Sequence, residues 1–437
     1  MRLNRPSAVQ RGLAAALDLG SSKVSCALLK FDQRLMRDEK SRSPRLRPAV
    51  RVEGAATLQS RGIRLGEIED REEVVNLVRQ LLARARGQSR TLIDHAYVCT
   101  SGGKPTSNNL FHSVAIGGNE VSSDDVAGVI SECKLPDLPD NRTLLSVQPV
   151  NFSVDQRSTV TRPIGMRGHR LSADLHMVDV DLSTFDSIMD VLGSCNLDVC
   201  GIVSSAHVSG LAALVEDERD LGGACVDIGA GVTSISVYFK GQLVCARTIK
   251  LGGQHITADI SRMLSISESA AERLKSMYGS LYFDPRHEGK EIEILSATRG
   301  ARKISHSSLF RLIRPRMEEI LEEVNLVLDG MEFEALPGQR IVLTGGCSNM
   351  QGLDELARDI LGSHVRFGRP LRLSGLPQEI SGPQYSALVG TCLDALTPQI
   401  DISDFLDSGN ALARFAPGNA LAEKPWSRTI QWMASNW

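Results

Sequence analysis

Two parts of the chain repeat one hydrophobic pattern. Residues 14–19 and 24–29 are apolar runs of strand length joined by a glycine-containing turn, and they read as a β-hairpin. In the second half, 224–228, 233–239 and 242–249 are three such runs in a meander, followed by helical spacing over 255–264. Between them, Val74, Val75, Leu77, Val78, Leu81 and Leu82 predict a helix over 72–85. A strand at 95–100, a capped helix at 122–133, strands at 143–154 and 177–182 and a helix at 184–195 follow. A third buried strand, 340–343, runs into Thr344-Gly345-Gly346, and a helix is predicted at 353–361. The alternation of strands and helices predicts an α/β protein, and the recurrence predicts an internal duplication.

Two stretches depart from this pattern. Residues 34–51 hold seven basic residues and two prolines against two acids, and read as a solvated loop. Residues 398–424 are polar and rich in Gly, Asn, Asp and Pro, the composition of a linker.

At 437 residues the chain is too long for one core, and 42% hydrophobic with 23% charged residues is an ordinary globular composition. A net charge of −3 gives no reason to expect a nucleic-acid partner. The nine cysteines lack zinc-ligand spacing and read as reduced thiols. No apolar run approaches the ~20 residues needed to span a bilayer, and no secretory h-region follows the first residues. A cytoplasmic chain is the expectation.

The chemistry sits in the turns. Asp18-Leu19-Gly20-Ser21-Ser22-Lys23 and Asp227-Ile228-Gly229-Ala230-Gly231 each place an Asp at a strand end before glycines and small residues. Glycine lets successive N–H groups point into one concavity that suits phosphate, and Asp at the strand end can hold the waters of Mg²⁺. Neither loop is a Walker sequence, and Gly229-Ala230-Gly231 precedes a strand, which counts against a dinucleotide fold.

The order of these two loops followed by Thr344-Gly345-Gly346 is that of the actin-like ATPases, a duplicated, ribonuclease H-like α/β fold closing over ATP. More closely, Ser60-Arg61-Gly62-Ile63, Pro163-Ile164-Gly165-Met166-Arg167-Gly168 and Ile341-Val342-Leu343-Thr344-Gly345-Gly346 resemble FtsA, the bacterial cell-division family, over about residues 12–397. Glu216 to Gly222, before the second loop, is similar to the family pattern as well. The resemblance implies subdomain 1A at 12–94, 181–210 and 364–397, with an inserted subdomain 1C at 95–180. It implies 2A at 211–262 and 317–363, 2B at 263–316, the linker at 398–424 and an amphipathic helix at 425–437. It further implies that ATP meets Gly252, Gly253, Glu272, Lys275, Gly345, Gly346, Asn349 and Met350 besides the two loops, Thr233 included. Asp18 and Asp227 would reach Mg²⁺ through water.

The chain departs from the family where a Gly-Gly-Gly-Thr loop is usual. Val232 replaces a hydroxyl, and Thr233 points to the other side of the strand by alternation. The segment Ile202 to His207, which links the halves, carries no carboxylate or amide to orient an attacking water, with His207 the one substitute. ATP binding with weak or absent turnover is the expectation.

All three tryptophans lie in the last twelve residues. On a helix Trp426, Ile430, Met433 and Trp437 fall within about 60° of one another, opposite Lys424, Arg428, Gln431 and Ser435. Such a helix suits an anionic membrane surface, weakly per copy and firmly in a polymer. The family tethers the division ring to the inner face of the membrane through such a tail. Arg311, Arg314 and Arg316 flank Pro315 at a predicted helix end, beside the 2B surface where the family receives the C-terminal peptide of FtsZ. Self-association and recruitment of later division proteins complete what the resemblance implies. A pilus-assembly protein of the same fold and a small-molecule kinase are the alternatives.

Overall fold

The computed structural model describes residues 12–32, 50–87, 92–133, 138–155, 157–160, 163–282, 291–296, 300–362 and 364–396. The linker, the amphipathic segment with Trp426, Ile430, Met433 and Trp437, and the basic stretch up to residue 49 lie outside the described residues.

Strands β1 (Leu13–Leu19), β2 (Lys23–Phe31) and β3 (Val50–Gln59) form an antiparallel meander. A small hairpin of β4 (Ile63–Arg64) and β5 (Glu67–Ile68) leads into helix α1 (Arg71–Arg86), which Asp70 caps by accepting from the Glu73 N–H. β6 (His95–Thr100) then joins β1 in parallel. A parallel partner needs a crossover, and α1 supplies it. The expected boundary at 95 is therefore corrected: β6 belongs to the first sheet, not to the insert.

The insert is a second sheet. β7 (Thr106–Ala115), helix α2 (Ser123–Ser131), β8 (Arg142–Val154), β9 (Arg157–Val160) and β10 (Arg170–Asp181) give the order β7-β10-β8-β9. Ser122 and Asp125 close a capping box on α2. β10 begins seven residues before the strand expected at 177, and Leu182 already starts the next helix.

Helix α3 (Leu182–Ser194) returns the chain to β11 (Asp198–Ser204), parallel to β6, and α4 (Ser205–Ala213) and the short α5 (Glu216–Leu221) cross to the second half. There β12 (Gly223–Ile228), β13 (Thr233–Phe239) and β14 (Gln242–Ile249) form the second meander. Helices α6 (Gly253–Leu264) and α7 (Glu268–Tyr278), the hairpin β15 (Glu291–Ser296) with β16 (Gly300–Ser305), and helix α8 (His306–Asp329) follow. β17 (Arg340–Thr344), α9 (Leu353–Leu361), β18 (Val365–Phe367) and α10 (Ser386–Asp394) complete the fold.

The orders β3-β2-β1-β6-β11 and β14-β13-β12-β17-β18 are the same: an antiparallel meander extended by two parallel strands. The duplication read from the hairpin of the first half and the meander of the second is thus complete to the fifth strand. β18 sits in the second sheet although the boundary at 364 assigned it to the first half.

Both central strands are buried on two faces. Leu17 and Leu19 face the core under α1 and α3, whereas Ala14 and Ala16 face α10. That is why they read as continuous apolar runs rather than alternating ones. Helices α4 and α10 cross between the sheets so closely that a Cβ on Gly390 would lie 1.8 Å from the Val208 carbonyl oxygen. Helix α8 runs through Pro315 without a break, so the predicted helix end there is corrected, as is the subdomain limit at 316. Leu309, Ile313, Met317, Ile320 and Val324 continue one buried stripe across the proline. Their packing outweighs a cost of about 3 kcal/mol for an interior proline. Among the described residues no helix is long and apolar enough to cross a membrane.

Candidate functional site

The two glycine loops meet across a cleft of about 450 Å³ between the sheets. Loop one, Gly20 to Ser22, joins β1 to β2, and loop two, Gly229 to Val232, joins β12 to β13. They touch: the Gln254 amide donates to the Ser21 carbonyl at 3.2 Å, and a Cβ on Gly231 would lie 2.6 Å from Ser21 Oγ. Glycine is therefore required at 231 by the approach of the opposite loop.

Loop two is closed from below by α6. The Gly253 and Gln254 N–H groups donate to the carbonyls of Gly229 and Ala230 at 3.0 and 2.7 Å. A Cβ on Gly252 would meet the Ala230 carbonyl at 2.7 Å, so this glycine serves loop packing and does not line the cleft. The first N–H groups of α6 are thus engaged within the protein, and within loop two the Gly229 N–H donates to the Val232 carbonyl at 3.0 Å.

Asp18 and Asp227 line the cleft with Lys23. Burial pushes the Asp18 carboxyl up to about 6; Lys23 opposes this and Asp227 adds to it. Burial also raises Asp227, against a hydrogen bond from the Ser209 hydroxyl and the charge of Lys23. The Lys23 ammonium, 4.8 Å from the centre of the Tyr385 ring, is lowered by burial despite both carboxylates. Two desolvated carboxylates beside one lysine form a site that gains from a further cation and from anionic ligands that neutralise it. Among the described residues no group of three metal-ligating side chains exists, so a divalent ion here would keep most of its waters.

The remaining expected residues divide. Ser21, Ser22, Gly20, Gly229, Ala230 and Gly231 line the cleft, as do Gly253, Glu272, Lys275, Gly346, Asn349 and Met350. Thr233 does not: its hydroxyl is buried and donates to the Leu251 carbonyl at 2.9 Å, while Val232 and Ser234 face the cleft. Gly345 acts from behind. At φ 90° it brings the turn after β17 so close that a Cβ would sit 2.3 Å from Asp227 Oδ1.

Lys275 has a structural task beyond the expected one. Its ammonium donates to the Gly253 carbonyl, Thr257 Oγ1 and Glu272 Oε2 at 2.7–2.8 Å, which joins α7 to α6. Burial works to raise Glu272, but the charge and hydrogen bond of Lys275, with Thr257 and Ser276, hold its carboxyl below the usual range. Glu272 is thus an ionised acceptor at the cleft wall, suited to hydroxyl donors.

His207 is not a cleft residue. Its Nε2 lies 3.3 Å from Asp394 Oδ1 and its Nδ1 2.9 Å from the Tyr238 hydroxyl, beneath α4. The position facing both loops is held by Ser205, whose Oγ is 2.7 Å from Ser234 Oγ. Ser205 lies in the linking segment Ile202 to His207, where the sequence singles out His207 instead; Ser234, Ser101 and Gln384 at the cleft wall belong to no motif that the sequence alone would single out.

A duplicated pair of five-stranded sheets facing across two Asp-Gly loops defines an actin-like protein. In fold the chain is similar to the PilM-PilN type IV pilus biogenesis complex, with a TM-score of 0.60 at 18% identity over 88% of this chain and 99% of that one. It is also similar to MreB5 of Spiroplasma citri bound to ADP, with a TM-score of 0.51 at 16% identity over 87% and 95%. Sequence narrows the class. A profile described as Cell division protein FtsA matches residues 224–390, and one described as the SHS2 domain inserted in FtsA matches 102–179. The cell division protein FtsA of Agrobacterium fabrum is 32% identical over 99% of this chain and 96% of its own length. That of Rhizobium meliloti is 33% identical over 96% and 94%. That of Escherichia coli K12 is 28% identical over 88% and 90%. The chain belongs to the FtsA family of cell division proteins, and neither the pilus nor the kinase alternative is retained.

Proposed function

We propose that this protein binds ATP with Mg²⁺ in the cleft and, as a polymer on the inner face of the cytoplasmic membrane, tethers the FtsZ ring at the division site. The observation that carries ATP binding is the meeting of two Asp-Gly loops around Lys23 and two buried carboxylates. Loops one and two would hold the phosphates, Glu272 the ribose hydroxyls, and Gly346 to Met350 the base. Asp18 and Asp227 would hold the waters of Mg²⁺, whose charge offsets that of the phosphates. Val232 supplies no hydroxyl to the terminal phosphate, the carboxylates Asp18 and Asp227 would be engaged with the waters of Mg²⁺, and the segment linking the halves turns Ser205 rather than a carboxylate or amide to the cleft. That favours holding ATP over hydrolysing it.

Trp426, Ile430, Met433 and Trp437 would enter the headgroup region of an anionic membrane. The FtsZ C-terminal peptide would dock near Arg311, and the insert would receive later division proteins. Deleting residues 427–437 should abolish co-sedimentation with anionic liposomes while leaving ATP binding within about twofold, the scatter expected of independent sites. Equal pelleting of the full and shortened chains overturns the tether.

A further inference from the structure

The turn Leu65-Gly66 between β4 and β5 is held from two sides. Both residues lie in the left-handed region, at φ 49° and 81°, which is uncommon for leucine. On one side the Gly66 N–H donates to Ser21 Oγ of loop one at 2.8 Å, in a buried contact. A Cβ on Gly231 of loop two would lie 2.8 Å from the Leu65 Cα, so the turn rests against both loops. On the other side a Cβ on Gly102 would lie 2.2 Å from the Gly66 carbonyl oxygen, where the chain leaves β6 for the insert.

Glu67 completes the junction. Its Oε1 accepts from the Gly103 N–H at 3.1 Å and from Lys250 Nζ at 3.3 Å, and its Oε2 from the Thr184 hydroxyl at 2.6 Å. The Gly103 carbonyl in turn accepts from the Asp181 N–H at 2.8 Å, so Gly103 closes the neck through which the insert leaves and rejoins the fold. Lys250 belongs to the segment that packs on loop two, since Leu251 accepts from Thr233 and Gly253 donates to Gly229. Among the described residues the Lys250–Glu67 contact is the one ion pair between residues before position 200 and residues after it.

We infer that the Leu65-Gly66-Glu67 turn couples the cleft to the insert: when the two loops close on a nucleoside triphosphate, Lys250 and Ser21 fix the turn, and Glu67 fixes the insert's neck. The nucleotide state of the cleft thereby sets the order of the surface that the insert offers to partners. This rests on the proposed binding of ATP. Each link is a short polar contact or a glycine-mediated backbone approach, so a shift of either loop has little slack to absorb it.

The test is hydrogen–deuterium exchange on the full chain, with and without Mg·ATP, alongside ATP affinity measured by calorimetry. In the wild type, Mg·ATP is expected to slow exchange at amides 102–104, 106 and 181 by about fivefold or more, the lower end of an ordinary coupling. Lys250→Gln, at a side chain 40% exposed, keeps the Gly103 and Thr184 bonds; it should bind ATP within about twofold of wild type and lose the protection. Thr184→Val, which keeps Lys250, should weaken the protection in part. If Lys250→Gln retains full protection, or if the wild type binds ATP with no change at these amides, the coupling is overturned and ATP binding stands. If the wild type fails to bind Mg·ATP, the binding reading is overturned and the coupling with it.

Discussion

Arg316 Nε donates to Asp259 Oδ2 at 2.8 Å, and its Nη2 reaches Asp259 Oδ1 at 3.3 Å, which clamps helix α8 to α6. Glu319 also pairs with this guanidinium. Arg314 is held by Glu318 at 2.7 Å, whereas Arg311 is exposed on the same helix. The three arginines therefore differ in what they can offer an acidic peptide. Arg311→Glu is expected to weaken binding of an FtsZ C-terminal peptide about threefold or more, measured by fluorescence anisotropy, with an unchanged melting temperature. Arg316→Glu is expected to act first on stability, by about 1–2 kcal/mol, because it sets a third carboxylate against Asp259 and Glu319. If Arg316→Glu melts as the wild type does, the clamp is not structural.

Asp18 links pH to the cleft. With a folded value of about 6, raised mainly by burial, the carboxyl holds a proton that an unfolded chain releases near 3.8. Between those values the folded state binds more protons. Its contribution to stability is therefore fully present below about 4 and lost as pH rises through about 6. Without ligand, Asp18→Asn should be more stable than wild type at pH 8, by about 1–3 kcal/mol, since it removes a buried charge. The sign reverses for ligand. On the proposed reading Mg·ATP uses the Asp18 carboxylate, so its affinity should fall up to about tenfold per pH unit below 6, and Asp18→Asn should abolish that dependence together with tight binding. Thermal melting at pH 8 reads the first effect, and titration calorimetry at pH 5.5, 6.5 and 7.5 the second.

Most of the cleft was legible because its main residues stand in turns after strands buried on both faces. Asp18 and Asp227 end such strands, and glycines follow them, so the chemistry stood next to the strongest hydrophobic signals. What escaped had a physical reason in each case. β3 begins directly after a basic stretch and is broken by Glu53 and Gly54, so its alternation is faint. Helix α4 is buried on nearly every side and shows no amphipathic stripe. Pro315 looked like a helix end because the stripe that carries α8 past it is tertiary packing, not local preference. Ser205, Ser234 and Gln384 come from distant parts of the chain and are brought to the cleft only by the crossing of elements. The bonds of Lys275 to Gly253 and Thr257 could not be read either, as those two partners come from α6.

The crossing of α4 and α10 makes a strong demand on one residue. Alanine at 390 would force a Cβ to 1.8 Å from the Val208 carbonyl oxygen, a backbone atom with no room to yield between two sheets. Gly390→Ala is expected to cost about 3 kcal/mol or more, seen as a lower melting temperature and reduced soluble yield. Gly193→Ala, in helix α3 with nothing within 4 Å of the new Cβ, should be neutral or slightly stabilising. Similar melting of the two variants would show that the helices can separate without loss.

Val232 gives the sharpest test of how loop two treats its ligand. The side chain is buried at the cleft wall, next to Gly231, whose approach to Ser21 fixes the loop's position. Thr233 and Ser234 carry the neighbouring hydroxyls, but the first is engaged by the Leu251 carbonyl and the second by Ser205. Val232→Thr keeps the side chain's shape and adds one hydroxyl facing the cleft. A hydrogen bond to a charged phosphate contributes about 1.5–3 kcal/mol at best, and about 1 kcal/mol after the hydroxyl's own desolvation. The preference for ATP over ADP is therefore expected to rise about fivefold, measured as the ratio of the two dissociation constants. Turnover should stay near that of the wild type, because the substitution adds no group that can take a proton from water. An unchanged ratio would place the terminal phosphate away from Val232, and a rise in turnover would mean that the hydroxyl alone had been missing.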